Sequence, residues 1–269
     1  MNQKLNSFLL AATVLSAGAL LSCNTLATPP GYKLAWADEF DGTSLDDTKW
    51  GHRDLGKRRD ALNVREAVTV SGGRLAITTY TQDGKHHTGM ICTRDKFERS
   101  VGYWEARIQF QDSPGEWSAF WIHSPTMGRS IGDPAAAGME IDVIEHRVCD
   151  QKGRDISGQG QLTLHWDGYG KDHKSKGQMT QDLGLGSGFH TYGLEWTEAE
   201  YRFYIDDKLT WTAPTPVSKR PEFIILSSEV KNKDWAGNIP EAGYGPRESS
   251  QTKMLVDYVR FYERVPAAK

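Results

Sequence analysis

Cysteine is scarce, with three in 269 residues. Cys23 closes an N-terminal leader, which leaves Cys92 and Cys149. One pair is too little for a disulfide framework, and the Cys-x-x-Cys spacing of a zinc site is missing. Both lie in strand-like runs, as isolated buried thiols or as a single bridge. An excess of one charge is also missing. Lys plus Arg number 32 against 35 Asp plus Glu, a net charge of −3, which gives no pull toward nucleic acid or anionic lipid. There is no internal repeat, no Gly-rich phosphate loop and no Gly-x-Ser-x-Gly elbow. His86-His87 lacks the spacing of paired metal ligands and reads as a solvated loop. No segment keeps a helical period beyond a turn or two. The longest apolar run, Phe8 to Leu21, is 14 residues, short of the roughly 20 that span a bilayer.

That run follows Met1-Asn-Gln-Lys4 and has the plan of an export signal. Leu20-Leu-Ser-Cys23 resembles a bacterial lipobox in which Ser22 replaces the commoner Gly or Ala. The expected product is a lipoprotein anchored to the membrane through Cys23. Ordinary cleavage after Thr25-Leu-Ala27 is the alternative and leads to the periplasm or medium. The expected organisation is a signal peptide over 1–23, a tether over 24–31, one catalytic domain over 32–264 and a tail over 265–269.

What is present is aromatic residues and strands. Nine Trp and ten Tyr exceed what a core needs, and surplus Trp often stacks on ligands. Ala67 to Val70 and Arg74 to Tyr80 flank Gly72-Gly73, a hairpin signal. Gly102 to Phe110 alternates, with Trp104, Ala106, Ile108 and Phe110 on one side. Further strands are expected at Trp117–His123, Glu140–Glu145, Leu162–Trp166, His190–Trp196, Tyr201–Ile205, Phe223–Glu229 and Met254–Tyr262. Many short strands with Gly-rich turns predict an all-β sandwich of two antiparallel sheets, a jelly roll.

The segment carrying chemistry is Gly138-Met-Glu-Ile-Asp-Val-Ile-Glu-His146. Strand alternation puts Glu140 and Asp142 on one face, but then places Ile144 beside them rather than Glu145. A β-bulge between Asp142 and Glu145 returns Glu145 to the acidic face. Three carboxylates then share about 15 Å of strand, so their pKa values must separate. Retaining glycoside hydrolysis needs such a set: one carboxylate to attack the anomeric carbon and one, with a raised pKa, to protonate the leaving oxygen. A solvated acidic face and a hard-cation site are the competing explanations. Flanking aromatics disfavour the first. In Trp117-Ser-Ala-Phe-Trp-Ile-His123, alternation sends Phe120 and Ile122 to the core and Trp117, Trp121 and His123 to the acidic cleft, where indole faces suit sugar rings.

Glu140-Ile-Asp-Val-Ile-Glu145 resembles the signature of glycoside hydrolase family 16, the laminarinase, lichenase, agarase and carrageenase group. Seven more blocks follow family order across the mature chain: Asp38-Glu-Phe-Asp-Gly42, Thr88 to Phe97, Gly102 to Ile108, Gly115 to Trp121, Phe189 to Trp196, Phe203 to Asp207 and Val256 to Tyr262. The resemblance implies a concanavalin A-like jelly roll with a concave cleft. By position Glu140 is the nucleophile, Glu145 the acid/base, and Asp142 the residue that tunes them. It also implies substrate contacts for His165, for Asn63 and Arg65 in Leu62-Asn-Val-Arg-Glu66, and more weakly for Glu229, since Leu226-Ser-Ser-Glu-Val230 departs from the glucanase pattern. Many members hold a structural calcium on the convex side, and Glu39 and Asp257 stand at matching places. Catalysis itself needs no cofactor.

The expected function is an exported, monomeric, retaining endo-β-glycanase on a polysaccharide, with β-1,3- or β-1,3-1,4-glucan the leading substrate. Family glucanases carry Trp-Pro before the catalytic strand, where this chain has Asp133-Pro-Ala-Ala-Ala-Gly138. A β-galactan of the agar or carrageenan type, or a host galactose-containing glycan, is therefore the alternative, although a near-neutral chain shows no overall basic cleft. A lectin-like binding module is the reading from a different class, and transglycosylation shares the same covalent intermediate.

Overall fold

The computed structural model describes residues 28–266. Cys23, the leader and residues 267–269 lie outside the described residues.

Alternating apolar positions build two eight-stranded sheets whose named strands pair antiparallel throughout. In the first, Gly102–Gln109 pairs with His190–Trp196 on one side and Lys253–Arg264 on the other. Tyr201–Ile205 and Lys208–Ala213 extend one edge. Tyr32–Asp38 and Leu75–Thr78 share the far side of the long Lys253–Arg264 strand, and Val68–Val70 follows. The second sheet runs Lys174–Met179, Gln161–Trp166, Glu140–Arg147, Glu116–His123, Glu222–Val230, Met90–Cys92, Gly51–His52, with Glu98–Arg99 beside Glu222–Val230. A smaller sheet of Gly56–Arg58, Ala61–Asn63, Tyr80–Gln82 and Lys85–Thr88 carries the one parallel pair among the named strands.

The core lies between the large sheets. Trp104, Trp196, Phe203 and Phe261 enter from the first; Phe120, Ile122, Ile141, Leu164 and Leu226 enter from the second, all buried. Each such side chain contributes about 1.5–3 kcal/mol of transfer free energy. The jelly-roll sandwich expected from the strand pattern is the fold observed. His190–Trp196 and Tyr201–Ile205 have the expected bounds; the expected strands from Trp117 onward otherwise run a residue or two longer, Gly102–Phe110 ends one residue early, and the expected Arg74–Tyr80 strand breaks at Thr79 between two sheets. Lys174–Met179 escapes the pattern because it is a polar, exposed edge strand with no apolar alternation to detect. The one α-helix among the described residues, Pro134–Ala137, is a single turn capped by Asp133, whose carboxylate accepts from the Ala136 amide at 3.1 Å. Cys92 and Cys149 are buried free thiols rather than a bridge.

The calcium expectation is not supported by its two acids. Glu39 accepts a two-pronged bond from Arg260, at 2.8 Å to each oxygen, and Asp257 accepts from Arg107 at 2.7 Å. Guanidinium groups already neutralise both carboxylates, and the two belong to no common cluster able to hold a metal among the described residues. The donor set does not fit a calcium ion.

Two carboxyls are fully buried in the second sheet. Glu222 accepts from the Met139 amide at 2.8 Å, just before the Glu140–Arg147 strand. Glu116 lies at the other end of the sheet, and burial pushes both up to about 8. A carboxyl with a raised folded-state pKa binds its proton more tightly when folded, so its contribution is most favourable at low pH. It weakens as pH climbs from the ordinary carboxyl value of 4.5 toward 8. Glu222→Gln should therefore match wild type in thermal unfolding near pH 5 and exceed it increasingly toward pH 8, by a few kcal/mol at most on the scale of about 1.4 kcal/mol per pKa unit. A constant difference across that range would contradict a neutral buried carboxyl.

Candidate active site

The Glu140–Arg147 strand contains the bulge. Phe120 stands opposite Ile144 and Trp121 opposite Asp142, so Val143 has no partner on that side. On the other side the register also breaks between Asp142 and Glu145. Val143 and Ile144 both turn into the core, and Glu145 rejoins Glu140 and Asp142 on the opposite face. There it sits between Ala119 and Gln161. One extra residue thus converts a two-carboxylate strand into a three-carboxylate one.

All three line a cleft of about 550 Å³ with Trp117, Trp121, His165 and Glu229. The tryptophans face the cleft as alternation requires, while Phe120 and Ile122 pack in the core. Trp121 donates from Nε1 to Ser227 Oγ at 3.0 Å. Trp117 meets the edge of Trp235, 5.4 Å between ring centres, under the Arg59 guanidinium at 5.0 Å. Both indoles are pinned by these contacts before any sugar arrives.

Burial separates the carboxyls. Desolvation raises Glu145 well above its ordinary range, with Asp142, Glu140 and Glu229 adding repulsion that Arg147 only partly offsets. Asp142 is likewise raised by burial, then by Glu140 and Glu229. Glu140 is raised by burial too, but a hydrogen bond from Tyr169 and the proximity of His165 and Arg58 pull it back. The site therefore favours an ionised Glu140 beside protonated Asp142 and Glu145. His165, held neutral by burial, brings Nε2 to 3.2 Å from Asp142 Oδ2 and 3.9 Å from Glu140 Oε1, while Nδ1 lies 2.9 Å from His173 Nε2. Glu140, Asp142 and His165 come within 4.8 Å of one another, but two carboxyls and an imidazole fall short of the six to eight oxygens calcium takes.

One end of the cleft is basic. Arg58 Nη2 lies 2.8 Å from Glu229, Arg59 Nε also bonds that carboxylate, and Arg58 reaches Asp54 at 3.2 Å. Arg53 lines the same end with its guanidinium 5.4 Å from the Phe223 ring. Three arginines face two carboxylates there, a local surplus hidden by the near-neutral total. Asn63 and Arg65 stand elsewhere: Asn63 is buried in the small sheet, and Arg65 sits on an exposed turn of 3-10 helix. Neither lines the cleft; the Arg53-to-Arg59 segment, which includes the strand just before Ala61–Asn63, supplies its basic side chains. That segment, Arg53-Asp-Leu-Gly-Lys-Arg-Arg59, is a visible basic cluster in the sequence. Tyr169 and His173 had no such signal, since they lie on a Gly-rich loop whose course alternation does not predict.

The family model "Beta-porphyranase A-D, GH16 domain" matches residues 33–264. The chain belongs to glycoside hydrolase family 16. That places it among endo-acting glycoside hydrolases that retain anomeric configuration. Glucan endo-1,3-beta-glucosidase A1 of Niallia circulans is 26% identical over 273 residues, which cover 87% of this chain and 38% of that protein. This chain thus spans well under half the length of that relative. Beta-glucanase of Rhodothermus marinus is 26% identical over 91% of this chain and 92% of its own. Among solved structures, the laminarinase from Flavobacterium sp. UMI-01 shares the fold, with a TM-score of 0.70 at 23% identity over 86% of this chain and 100% of that one.

Glu229 is the hinge of the basic end. Its side chain is 7% exposed, and it anchors Arg58 and Arg59, which are 29% and 41% exposed. Glu229→Gln keeps the shape but leaves two guanidinium groups without their anion. A loss of roughly 2 kcal/mol is expected in denaturant unfolding, below the 3–5 typical of fully buried pairs because the arginines reach water. A loss under about 0.5 kcal/mol would show that the pair contributes nothing to stability.

Proposed function

We propose that the protein is an exported retaining endo-β-glycanase in which Glu140 attacks and Glu145 serves as acid, then base. The observation that carries this is the bulge, which sets two buried carboxyls and a half-buried third, of separated proton affinity, on one cleft face. In the first step Glu140 forms a bond to the anomeric carbon as the glycosidic bond breaks, and the Glu145 proton goes to the departing oxygen. In the second, Glu145 takes a proton from water as the water oxygen displaces Glu140. Asp142 holds the nucleophile between its own proton and His165. Export rests on the leader sequence, with Cys23 as the anchor.

For substrate, the arginine-lined end favours a β-galactan carrying anionic groups, in keeping with the porphyranase domain match. A neutral β-1,3- or β-1,3-1,4-glucan is the second reading, supported by the curated glucanase relatives. Reducing-end release from porphyran, carrageenan, agarose, laminarin and lichenan decides between them. Sulfated galactans should be cleaved at least about tenfold faster than either glucan, given charge-assisted contacts of about 1.5–3 kcal/mol. The reverse order would return the substrate to β-glucan, and binding without release from any polymer would leave a lectin.

The acid/base assignment has its own test. Glu145→Ala should impair polysaccharide cleavage far more than cleavage of an activated aryl glycoside, whose leaving group needs little protonation. Azide entering the vacated space should then yield a β-glycosyl azide, since attack on the α-linked intermediate inverts it a second time. Formation of the α-azide would mean a single displacement. A β-azide from Glu140→Ala together with an α-azide from Glu145→Ala would exchange the roles of the two glutamates.

A further inference from the structure

The Gln161–Trp166 strand runs into the loop Asp167-Gly-Tyr-Gly170, which turns back over the nucleophile. Asp167 is buried and clasps this loop to the facing one: Oδ1 accepts from the Gly132 amide and Oδ2 from Lys174 Nζ, both at 2.8 Å. The two loops touch backbone to backbone at Gly128 and Gly168, where a Cβ on Gly128 would stand 2.9 Å from the Gly168 Cα. Both glycines also have positive φ, 79° and 74°, so a side chain at Gly128 is opposed by both space and backbone, and one at Gly168 mainly by its backbone. The tight contact has one evident product, which is the position of Tyr169.

Tyr169 is 64% exposed, more than any other large aromatic side chain in the described residues. Its hydroxyl nonetheless reaches inward to Oε2 of Glu140 and lies 3.2 Å from His123 Nε2. The ring lies nearly parallel to the His123 imidazole, 20° between planes, and leans on His173. His123 is buried, and burial pushes it down to about 4, so it is neutral at working pH. With the phenol proton committed to Glu140, His123 can meet the phenol oxygen only as a donor from Nε2. The phenol oxygen then accepts from His123 and spends its own proton on Glu140.

We propose that Tyr169 is a positioning residue for the nucleophile, fixing Oε2 of Glu140 so that Oε1 is the oxygen that attacks. This rests on Glu140 being the nucleophile. As Oε1 bonds to the anomeric carbon and the glycosidic bond breaks, with the Glu145 proton leaving on the departing oxygen, Oε2 becomes the ester carbonyl and keeps its bond from Tyr169. The second step returns the charge to a carboxylate that is already held. A charged acceptor gains more from that donor than an ester does, so the contact favours the ionised enzyme and the departure of Glu140 from the intermediate.

The groups facing Glu140 are His123 from one neighbouring strand, His165 and Tyr169 from the other side, and Asp142 and Glu145 on its own strand. Arg58 and Glu229 face it across the cleft, and Glu222 lies behind. Tyr169→Phe changes only one of them, and the ring keeps its stacking. The test is carbon-13 NMR of protein labelled at glutamate Cδ, with the Glu140 signal assigned by its loss in Glu140→Gln. In Tyr169→Phe the Glu140 midpoint should rise by about one unit or more, with thermal unfolding unchanged. On the polysaccharide that wild type cleaves, kcat should fall about 10- to 100-fold and the acid limb of kcat/KM should move to higher pH, with KM little altered. A Glu140 midpoint unmoved in Tyr169→Phe overturns the proposal, whatever the activity. Full activity in Glu140→Gln would instead remove the nucleophile assignment and leave the NMR result standing.

Discussion

Like charges resist being brought together, and one strand in this molecule holds three carboxyls on a single face, two of them buried and the third half-buried. The extra residue at Val143 makes that unavoidable, because it returns Glu145 to the side already occupied by Glu140 and Asp142. Ionising all three together is costly, so the site favours keeping protons on some of them. Much of what surrounds the strand decides which. His165 bridges toward Asp142, Tyr169 and His123 serve Glu140, and Glu145 receives no hydrogen bond from a side chain among the described residues. The least supported carboxyl is the one best suited to hold a proton until a leaving oxygen needs it.

The basic end of the cleft follows from the same electrostatics. Glu229 belongs to the neighbouring strand and adds repulsion to each of the three carboxyls. Arg58 and Arg59 cancel much of that repulsion while remaining half open to solvent. Their position on a small separate sheet lets the basic end be varied without disturbing the packed strands beneath.

Much of this was legible in the residues. Alternation separates Phe120 and Ile122 from Trp117 and Trp121, and the misfit of Glu145 with alternation reveals the bulge. Both are short-range consequences of a strand having period two. What alternation cannot reach is the course of loops and the pairing of distant charges. Tyr169 and His173 follow a Gly-rich turn whose path is set by the clasp at Asp167, a contact between loops 35 residues apart. Asn63 and Arg65 were placed by motif similarity, but the chain enters the small sheet there and sends Arg53, Arg58 and Arg59 to the cleft instead. The polar Lys174–Met179 strand is held by its neighbour's hydrogen bonds rather than by any apolar face.

On the opposite sheet the acids meet a different solution. Glu39 is far in sequence from Arg260, yet Tyr32–Asp38 pairs directly with the strand that carries Arg260, and the register puts Asp38 opposite Val259. The backbone ladder therefore delivers the carboxylate to the guanidinium with little freedom left to lose. Asp257, on the same long strand, meets Arg107 from its other neighbour, since Arg107 pairs in register with Tyr258. Each ion pair is thus a by-product of strand pairing that closes the sandwich, and each removes an anionic ligand that a cation would need. An arginine fork is fixed in charge and brings no dependence on metal supply, whereas the cleft carboxyls are left unpaired enough to change protonation. The two faces divide the labour: permanent charges where the fold is joined, and exchangeable protons where bonds are broken.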